Sequence, residues 1–145
     1  MVDVGEKPVT RRLAVARGRV FMHKDTLALL KRRRAPKGDV LATAHLAGVL
    51  AAKRTADLIP LAHPLPLDSV ELEFTLDKKT SSVGIEARVR NQGKTGCEME
   101  ALTAVTVAAL TLYDMLKAAD RGMVMGEFAL WQKSGGRSGT FRRRG

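Results

Sequence analysis

The sequence has little cysteine, few aromatic side chains and no long apolar run. Its 145 residues include one cysteine, Cys97, and only 4% aromatic residues. One cysteine forms no internal disulfide, which predicts a reducing, cytoplasmic setting. The absence of an apolar run of roughly 18 residues predicts no transmembrane helix. With so few aromatic rings, a stacking surface for single-stranded nucleic acid would be sparse.

Positive charge is abundant, with a formal net charge of +10 at pH 7. Seven of the positive charges lie in two short runs, Lys31–Arg34 and Arg142–Arg144. Such an excess attracts polyanions, either nucleic acid or a phosphate-rich small molecule. A phosphate-rich small molecule fits the charge equally well. Because the charge is concentrated in two runs and aromatic side chains are few, no nucleic acid partner is expected. A non-catalytic nucleotide or nucleic-acid binding module stays as the alternative.

The pattern of apolar residues predicts an α+β protein with a single domain over residues 1–145. Val70–Leu76 and Val83–Arg90 alternate apolar and polar residues, which is typical of an antiparallel hairpin with one solvent-exposed face. Gly5 and Pro8 indicate a loose arm over residues 1–10, and the basic end of the chain indicates a flexible tail over residues 140–145. The predicted elements are a strand at Arg12–Met22 with a bulge or bend near Gly18, a helix capped by Asp25 or Thr26, a helix capped by Asp39, a proline-braced loop at Leu58–Leu67, strands at Val70–Leu76 and Val83–Arg90, a helix at 98–119 and a strand near Met123–Gln132.

The order β, α, α, β, β, α, β contains the ferredoxin-like βαββαβ pattern and one extra helix. This fold has one antiparallel sheet with its helices on one face. The apolar faces of the predicted hairpin would then be buried beneath those helices.

The predicted helix 98–119 carries charge only near its ends. Asp114 and Lys117 are three residues apart and share a helix face, while Glu98 and Glu100 lie at the other end. Fixed acid and ammonium groups on an otherwise apolar helix suit proton transfer. Both sets also have a structural interpretation, as an i,i+3 ion pair and as carboxylates that complement the helix dipole.

Glu100 and Asp114 are separated by fourteen positions, or about 21 Å along a straight helix. They cannot both touch one reacting centre within one subunit. Either they serve opposite ends of a long ligand or the pocket forms between subunits. A small domain with a nearly all-apolar helix favours the second option, which predicts an oligomer with interfacial sites.

Phosphate-binding and metal-binding motifs are weak in this chain. The segment Gly93–Gly96 is preceded by Arg88 where a P-loop requires glycine, so a nucleotide hydrolase is excluded, although its backbone N–H groups could contact an anion. One cysteine and three histidines show no zinc-ligand spacing. No carboxylate cage for a hard cation is evident, so we expect no resident metal or cofactor, and magnesium at most as a companion of the substrate.

Four segments, spread from one end of the chain to the other, carry nearly literal family signatures. They are MVDV at 1–4, KGDVLATAHLAGVLAAKRTADLIPLAHPL at 37–65, GKTGCEMEALTAVTVAALTLYDMLKA at 93–118 and KSGGRSG at 133–139. Together they closely resemble the molybdenum cofactor biosynthesis protein C family, the cyclic pyranopterin monophosphate synthases. Departures are mild, with Ala62 where cysteine is frequent and Cys97 where valine is common.

The resemblance implies an activity and an assembly. The family converts (8S)-3',8-cyclo-7,8-dihydroguanosine 5'-triphosphate to cyclic pyranopterin monophosphate and releases diphosphate, a step of molybdenum cofactor biosynthesis. It implies a ferredoxin-like fold and a cytoplasmic hexamer, a trimer of dimers with active sites at subunit interfaces.

The resemblance also implies roles for individual residues. Asp114, Lys117 and Lys37 match the catalytic positions, and we expect a lowered pKa for a lysine flanked by another lysine in a partly dry pocket. Arg17 is a further phosphate candidate beside the matched basic residues. The predicted substrate-binding residues are Leu61, Ala62, His63, Met99, Glu100, Glu98, Arg12 and Lys133.

Overall fold

A computed structural model describes residues 1–144 of the chain. An arm of nine residues precedes the first strand. The elements are β1 (Thr10–Phe21), α1 (Lys24–Lys31), α2 (Val40–Lys53), α3 (Thr55–Leu58), β2 (Ser69–Asp77), β3 (Ser82–Gly93), α4 (Glu98–Leu116), β4 (Val124–Ser134) and β5 (Phe141–Arg142).

The five strands form one antiparallel sheet in the order β2-β3-β1-β4-β5. The first four strands have the ferredoxin-like order, so the predicted fold class is confirmed. The sequence did not predict β5. Phe141 of β5 lies in the segment expected to be a flexible tail, and it pairs with Lys133 of β4. Two residues are too few to show an alternating pattern, so no sequence signal marks this strand.

The hairpin β2–β3 forms as the alternation predicts. Val83, Ile85 and Val89 are fully or almost fully buried, and Leu72 faces the same core from β2. The intervening residues carry charge on the opposite face, where Arg90 pairs with Glu71 at 2.6 Å. One face of the sheet is therefore apolar and lies beneath the helices, and the other is a network of charges.

The irregularity predicted near Gly18 is found at that position, but the additional residue belongs to the neighbouring strand β4. β1 pairs with β3 in unbroken register from Thr10 to Phe21. Against β4 the register shifts twice, and each time the additional residue belongs to β4. Gly18 is small for another reason, because a Cβ there would lie 2.4 Å from Cδ1 of Phe128. The apolar pattern of one strand cannot reveal which member of a pair carries a bulge.

Helix α4 is the core of the helical layer. It packs on β1, β3 and β4, while α2 packs on α4 and β2. The residues Ala101, Ala104, Val105, Ala108 and Leu112 are fully buried. By length and composition alone α4 could also cross a membrane, but 56% of that stretch is buried inside the molecule, as in a core helix.

The helix ends match the sequence in part. Asp39 caps α2 as predicted, since its Oδ1 accepts the Ala42 N–H at 3.0 Å. Helix α1 begins at Lys24, and its N-cap His23 makes no side-chain cap, so the expected caps Asp25 and Thr26 are wrong. The Thr26 hydroxyl instead donates to the buried Asp120 at 3.2 Å. Helix α4 ends at Leu116, three residues before the predicted end.

Candidate active site

Three charged side chains meet at the C-terminal end of α4. Asp114 accepts hydrogen bonds from two ammonium groups, from Lys117 at 2.7 Å and from Lys37 at 2.8 Å, each on a different carboxylate oxygen. Lys37 also donates to the backbone carbonyl of Asp114 at 3.2 Å. The three residues predicted to be catalytic therefore form one cluster, which we call the lysine–aspartate cluster.

Local structure explains this meeting. Lys117 lies three residues beyond Asp114 and is the C-cap of α4. Lys37 comes from the loop between α1 and α2, which turns at Gly38, where φ is +96°, immediately before the Asp39 cap. A carboxylate near a helix C-terminus is disfavoured by the helix dipole, and two cations on it compensate.

Electrostatics in the cluster favours the charged forms. Hydrogen bonds from Lys117 and from Lys37 lower the pKa of Asp114 to about 2. The Asp114 carboxylate in turn raises the pKa of Lys117. The expected lowered lysine pKa is thus not found for Lys117, because all three side chains are about half exposed and the carboxylate outweighs desolvation.

A cavity of about 540 Å³ opens at the other end of α4. The proline-braced loop and the first turn of α4 both contribute to its wall, together with the N-terminal arm through Met1, Val2, Val4 and Lys7. All six predicted substrate-binding residues from these two segments line it, namely Leu61, Ala62, His63, Glu98, Met99 and Glu100.

Glu100 is the buried acid of this cavity. Its exposed fraction is only 3%. Burial raises the pKa of the Glu100 carboxyl, and the neighbouring charge of Glu98 adds to the rise. Among residues 1–144 no lysine, arginine or histidine forms an ion pair with Glu100. A carboxyl in this setting is suited to hold or deliver a proton nearer neutral pH.

A second cleft, of about 500 Å³, adjoins the first and shares Lys7, Thr95, Gly96 and Glu98 with it. Arg12 lines this cleft and donates from Nε to the carbonyl of Gly93 at 3.1 Å. The positive φ of Gly136 and its close approach to the Arg12 guanidinium require glycine in the KSGGRSG turn. Lys133 begins that turn and donates to the hydroxyl of Ser138, which itself lines the cleft.

Further basic residues line the second cleft beside Arg12, namely Lys7, Lys94 and Arg137 of the KSGGRSG segment. The sequence did not single out Lys7 and Lys94 for a site. Their one sequence signal is proximity to glycine turns, which is too common to be diagnostic. The segment Gly93–Gly96 does contribute Thr95 and Gly96 to the wall of both clefts, the place where its backbone could meet an anion.

Arg17 lies elsewhere. Its Nε pairs with Glu86 at 2.6 Å and its guanidinium stacks 4.4 Å from the centroid of the Trp131 ring. It lines neither cleft. Glu86 and Trp131 hold the Arg17 side chain on the sheet, away from both clefts.

The structure thus brings the predicted site residues together in two groups rather than one. The lysine–aspartate cluster lies at the C-terminal end of α4, and the two clefts lie at its N-terminal end. Glu100 and Asp114 belong to the same straight helix, so about 21 Å of helix separates them. Among residues 1–144 no group of three or more histidine, cysteine or carboxylate side chains is placed to hold a metal ion.

Fold and site together define a ferredoxin-like α+β protein with a lysine–aspartate cluster at one end of its core helix and two adjoining clefts at the other, one of them lined by basic residues. The family model of the MoaC family matches residues 1–136, and the chain belongs to this family. It is 61% identical over 143 residues to the cyclic pyranopterin monophosphate synthase of Thermomicrobium roseum, covering 99% of this chain and 86% of the relative. The enzyme of that name from Heliobacterium modesticaldum is also 61% identical, over 99% of this chain and 90% of its own length. That from Pelotomaculum thermopropionicum is 57% identical over the whole chain and 85% of its own length.

Proposed function

We propose that this protein is a cyclic pyranopterin monophosphate synthase of molybdenum cofactor biosynthesis. It rearranges (8S)-3',8-cyclo-7,8-dihydroguanosine 5'-triphosphate to cyclic pyranopterin monophosphate and releases diphosphate. The observation that carries the proposal is the lysine–aspartate cluster, where one carboxylate holds two ammonium groups at 2.7 and 2.8 Å. Relatives that are 61% identical over 99% of this chain bear this enzyme name.

The proposed chemistry divides between the two ends of α4. Opening and closing the rings of a purine-derived skeleton requires proton donors and acceptors. The Asp114 carboxylate orients the ammonium group of Lys117, which serves as the proton donor, while Lys37 shares the acid–base work. Arg12 and Lys133, at the cationic cleft, stabilise the charge that develops on the departing diphosphate. Leu61, Ala62, His63, Glu98, Met99 and Glu100 hold the remainder of the substrate.

The test is diphosphate release from the purified cyclic dihydroguanosine triphosphate. Lys117→Met removes the ammonium group and keeps the length of the side chain, so turnover should fall by about 10²–10⁴-fold. Lys79→Met, in the exposed β2–β3 turn, is the matched control and should keep wild-type turnover. The pterin product is followed by fluorescence after oxidation. Near-normal release by folded Lys117→Met would contradict the assigned role.

We further propose that the active site is completed between subunits of a cytoplasmic hexamer, a trimer of dimers. The separation of the two site groups along α4 supports this, because one substrate cannot bridge them easily within one chain. Exposed leucines on the helical layer, Leu46 and Leu50 on α2 and Leu110 on α4, support a partner on that face.

Mixing two inactive variants tests the shared site. Lys117→Met disables only the C-terminal group, and Arg12→Ala disables only the cleft. After unfolding and refolding together in equal amounts, about a quarter of interfacial sites would combine two intact halves, so activity should return to about that fraction. Mixing without subunit exchange is the control and should restore nothing. Failure of a fully exchanged mixture to recover activity would place the complete site within one chain.

A further inference from the structure

A third cleft lies outside the candidate active site, above α1. It has a volume of about 710 Å³, larger than either cleft of the candidate active site. One face of α1 forms its wall through positions spaced i, i+3, i+4 and i+7, and the end of β2 forms the opposite wall. The lining residues are Lys24, Leu27, Ala28, Lys31, Arg32, Leu76 and Lys78, and we call this the α1 groove.

The α1 groove has an apolar floor and a basic rim. Leu27 is buried, whereas Ala28 and Leu76 are partly accessible at the bottom. Four cations surround them, from Lys24, Lys31, Arg32 and Lys78, all exposed. Two carboxylates are close in sequence to the groove residues, but neither lines the groove. Asp25 is the one carboxylate of α1, and Asp77 at the end of β2 forms an ion pair with Arg19 at 3.3 Å.

The rim cations of the α1 groove differ in their ion pairing from three arginines on the open face of the sheet. On the open face of the sheet Arg17 and Arg88 both bind Glu86, and Arg90 binds Glu71, each at 2.6 Å. No rim residue of the α1 groove forms an ion pair with a carboxylate of the described chain. The run Arg32–Arg34 adds two more exposed arginines next to the rim. The four rim cations are therefore not neutralised within the described chain and are accessible to an external anion.

We infer that the α1 groove docks an acidic amphipathic helix of a partner protein. Aliphatic side chains of such a helix would cover the apolar floor, while carboxylates on its flanks would reach the basic rim, as in other helix-in-groove complexes. Nucleic acid fits less well, since no aromatic side chain lines the groove to stack a base. An anionic membrane fits less well too, because the apolar residues of the groove are buried or only partly accessible.

Binding to synthetic peptides tests this assignment with the full-length protein. The probe is a fluorescent peptide of about 15 residues with leucine at helical spacing and glutamate between. The same peptide with glutamine for glutamate controls for charge, and a scrambled glutamate peptide controls for the apolar stripe. We expect the amphipathic glutamate peptide to bind best, with affinity falling as salt rises.

Matched variants locate the site. Lys31→Glu with Arg32→Glu should weaken binding by about tenfold or more, because both rim charges are reversed. Arg142→Glu with Arg144→Glu makes the same change in net charge at the far edge of the sheet and should leave affinity unchanged. Ala28→Gln, a helix-compatible change, fills the floor without altering charge and should also weaken binding. Circular dichroism confirms that each variant is folded.

Three results would overturn the assignment. Equal loss in both double variants would indicate attraction to net charge rather than a groove. Equal binding of the glutamine or scrambled peptide would remove the acidic helix as the occupant. Tighter, groove-dependent binding of random duplex DNA or of phosphatidylserine vesicles would assign the surface to that class of ligand.

Discussion

The carboxylates at the two ends of α4 have pKa values shifted in opposite directions. At the C-terminal end Asp114 is half exposed, and two ammonium groups lower its pKa to about 2. At the N-terminal end Glu100 is 3% exposed, without a cation in ion-pair contact among residues 1–144, and burial raises its pKa. Pairing keeps one carboxylate charged and holds its lysines in place. Burial without pairing makes the other a group that readily accepts a proton.

The two ends of α4 also differ in the interactions that hold them together. The C-terminal cluster is held by direct ion pairs, so changing any member removes contacts that position the others. The N-terminal cavity is held by packing of the arm, the proline-braced loop and the first turn of α4. Variants at the first end should therefore act on the reaction, and those at the second on stability as well.

The largest expected effect comes from breaking the ion pairs with Asp114→Asn. Turnover should fall by about 10²-fold or more, because the lysines lose the group that orients them. Without the carboxylate the pKa of Lys117 falls, so the alkaline limb of the pH–kcat/KM profile should move to lower pH. Steady-state kinetics across pH measures both effects. Asp25→Asn, on exposed α1, is the control, and an unmoved alkaline limb would exclude Lys117 as the titrating donor.

A smaller effect is expected at a second carboxylate near the same end. Asp120 is buried and accepts hydrogen bonds from the backbone N–H groups of His23 and Gly122 and from the Thr26 hydroxyl. Asp120→Ala leaves these donors unpaired and should cost about 2 kcal/mol of unfolding free energy. Activity measured below the melting range should be unchanged, in contrast to Asp114→Asn.

The pH dependence of Asp120→Ala checks the cause. Burial alone would raise the pKa of Asp120, but its hydrogen bonds outweigh burial and lower it from 3.8. Its stabilisation is therefore present above pH about 4 and lost as pH falls through the lowered pKa. Urea unfolding of wild type and variant should converge only in that acid range. Asp120→Asn keeps one acceptor oxygen and should lose less. A difference that persists unchanged at low pH would point to lost packing instead.

The smallest expected effect is a gain of stability in Glu100→Gln. Because the pKa of Glu100 is raised in the folded state, ionising this carboxyl costs more free energy there than in the unfolded chain. Wild-type stability therefore falls as pH rises above 4.5. The variant avoids this loss and should be more stable at pH 7 by up to about 1 kcal/mol, with no gain at pH 4. Thermal melts at both pH values measure the difference. Glu73→Gln, at an exposed position of β2, is the control. A gain at pH 4 equal to that at pH 7 would rule out ionisation as the cause.

Much of the scaffold could be predicted from local pattern. The alternation in β2 and β3 predicted a hairpin with one apolar face, because side chains of a strand point to opposite faces in turn. Asp39 was recognisable as a cap, and Asp114 and Lys117 as neighbours on one helix face, because these relations span only three residues. Lys37 was matched through the family signature, since its partner lies 77 residues away.

Other features had no local signal. The bulges belong to β4 although the irregular pattern was in β1, because pairing decides which strand holds the additional residue. The basic residues Lys7, Lys94 and Arg137 share a cleft only after distant turns come together. The direction of the Lys117 pKa was missed because it depends on exposure and on the carboxylate distance, neither of which follows from residue type.

The sequence by itself determined the four long strands, the three longer helices, the ferredoxin-like order and the identity of the charged side chains on α4, because these depend on periodicity and residue chemistry within short stretches. Tertiary structure alone decided that Lys37 reaches Asp114, that Glu100 is buried without an ion pair, that Arg17 is committed to Glu86 and Trp131, and that the α1 groove keeps its cations unpaired. The physical reason is that pairing and desolvation depend on distances and exposure in three dimensions, and these are set by groups far apart in the chain.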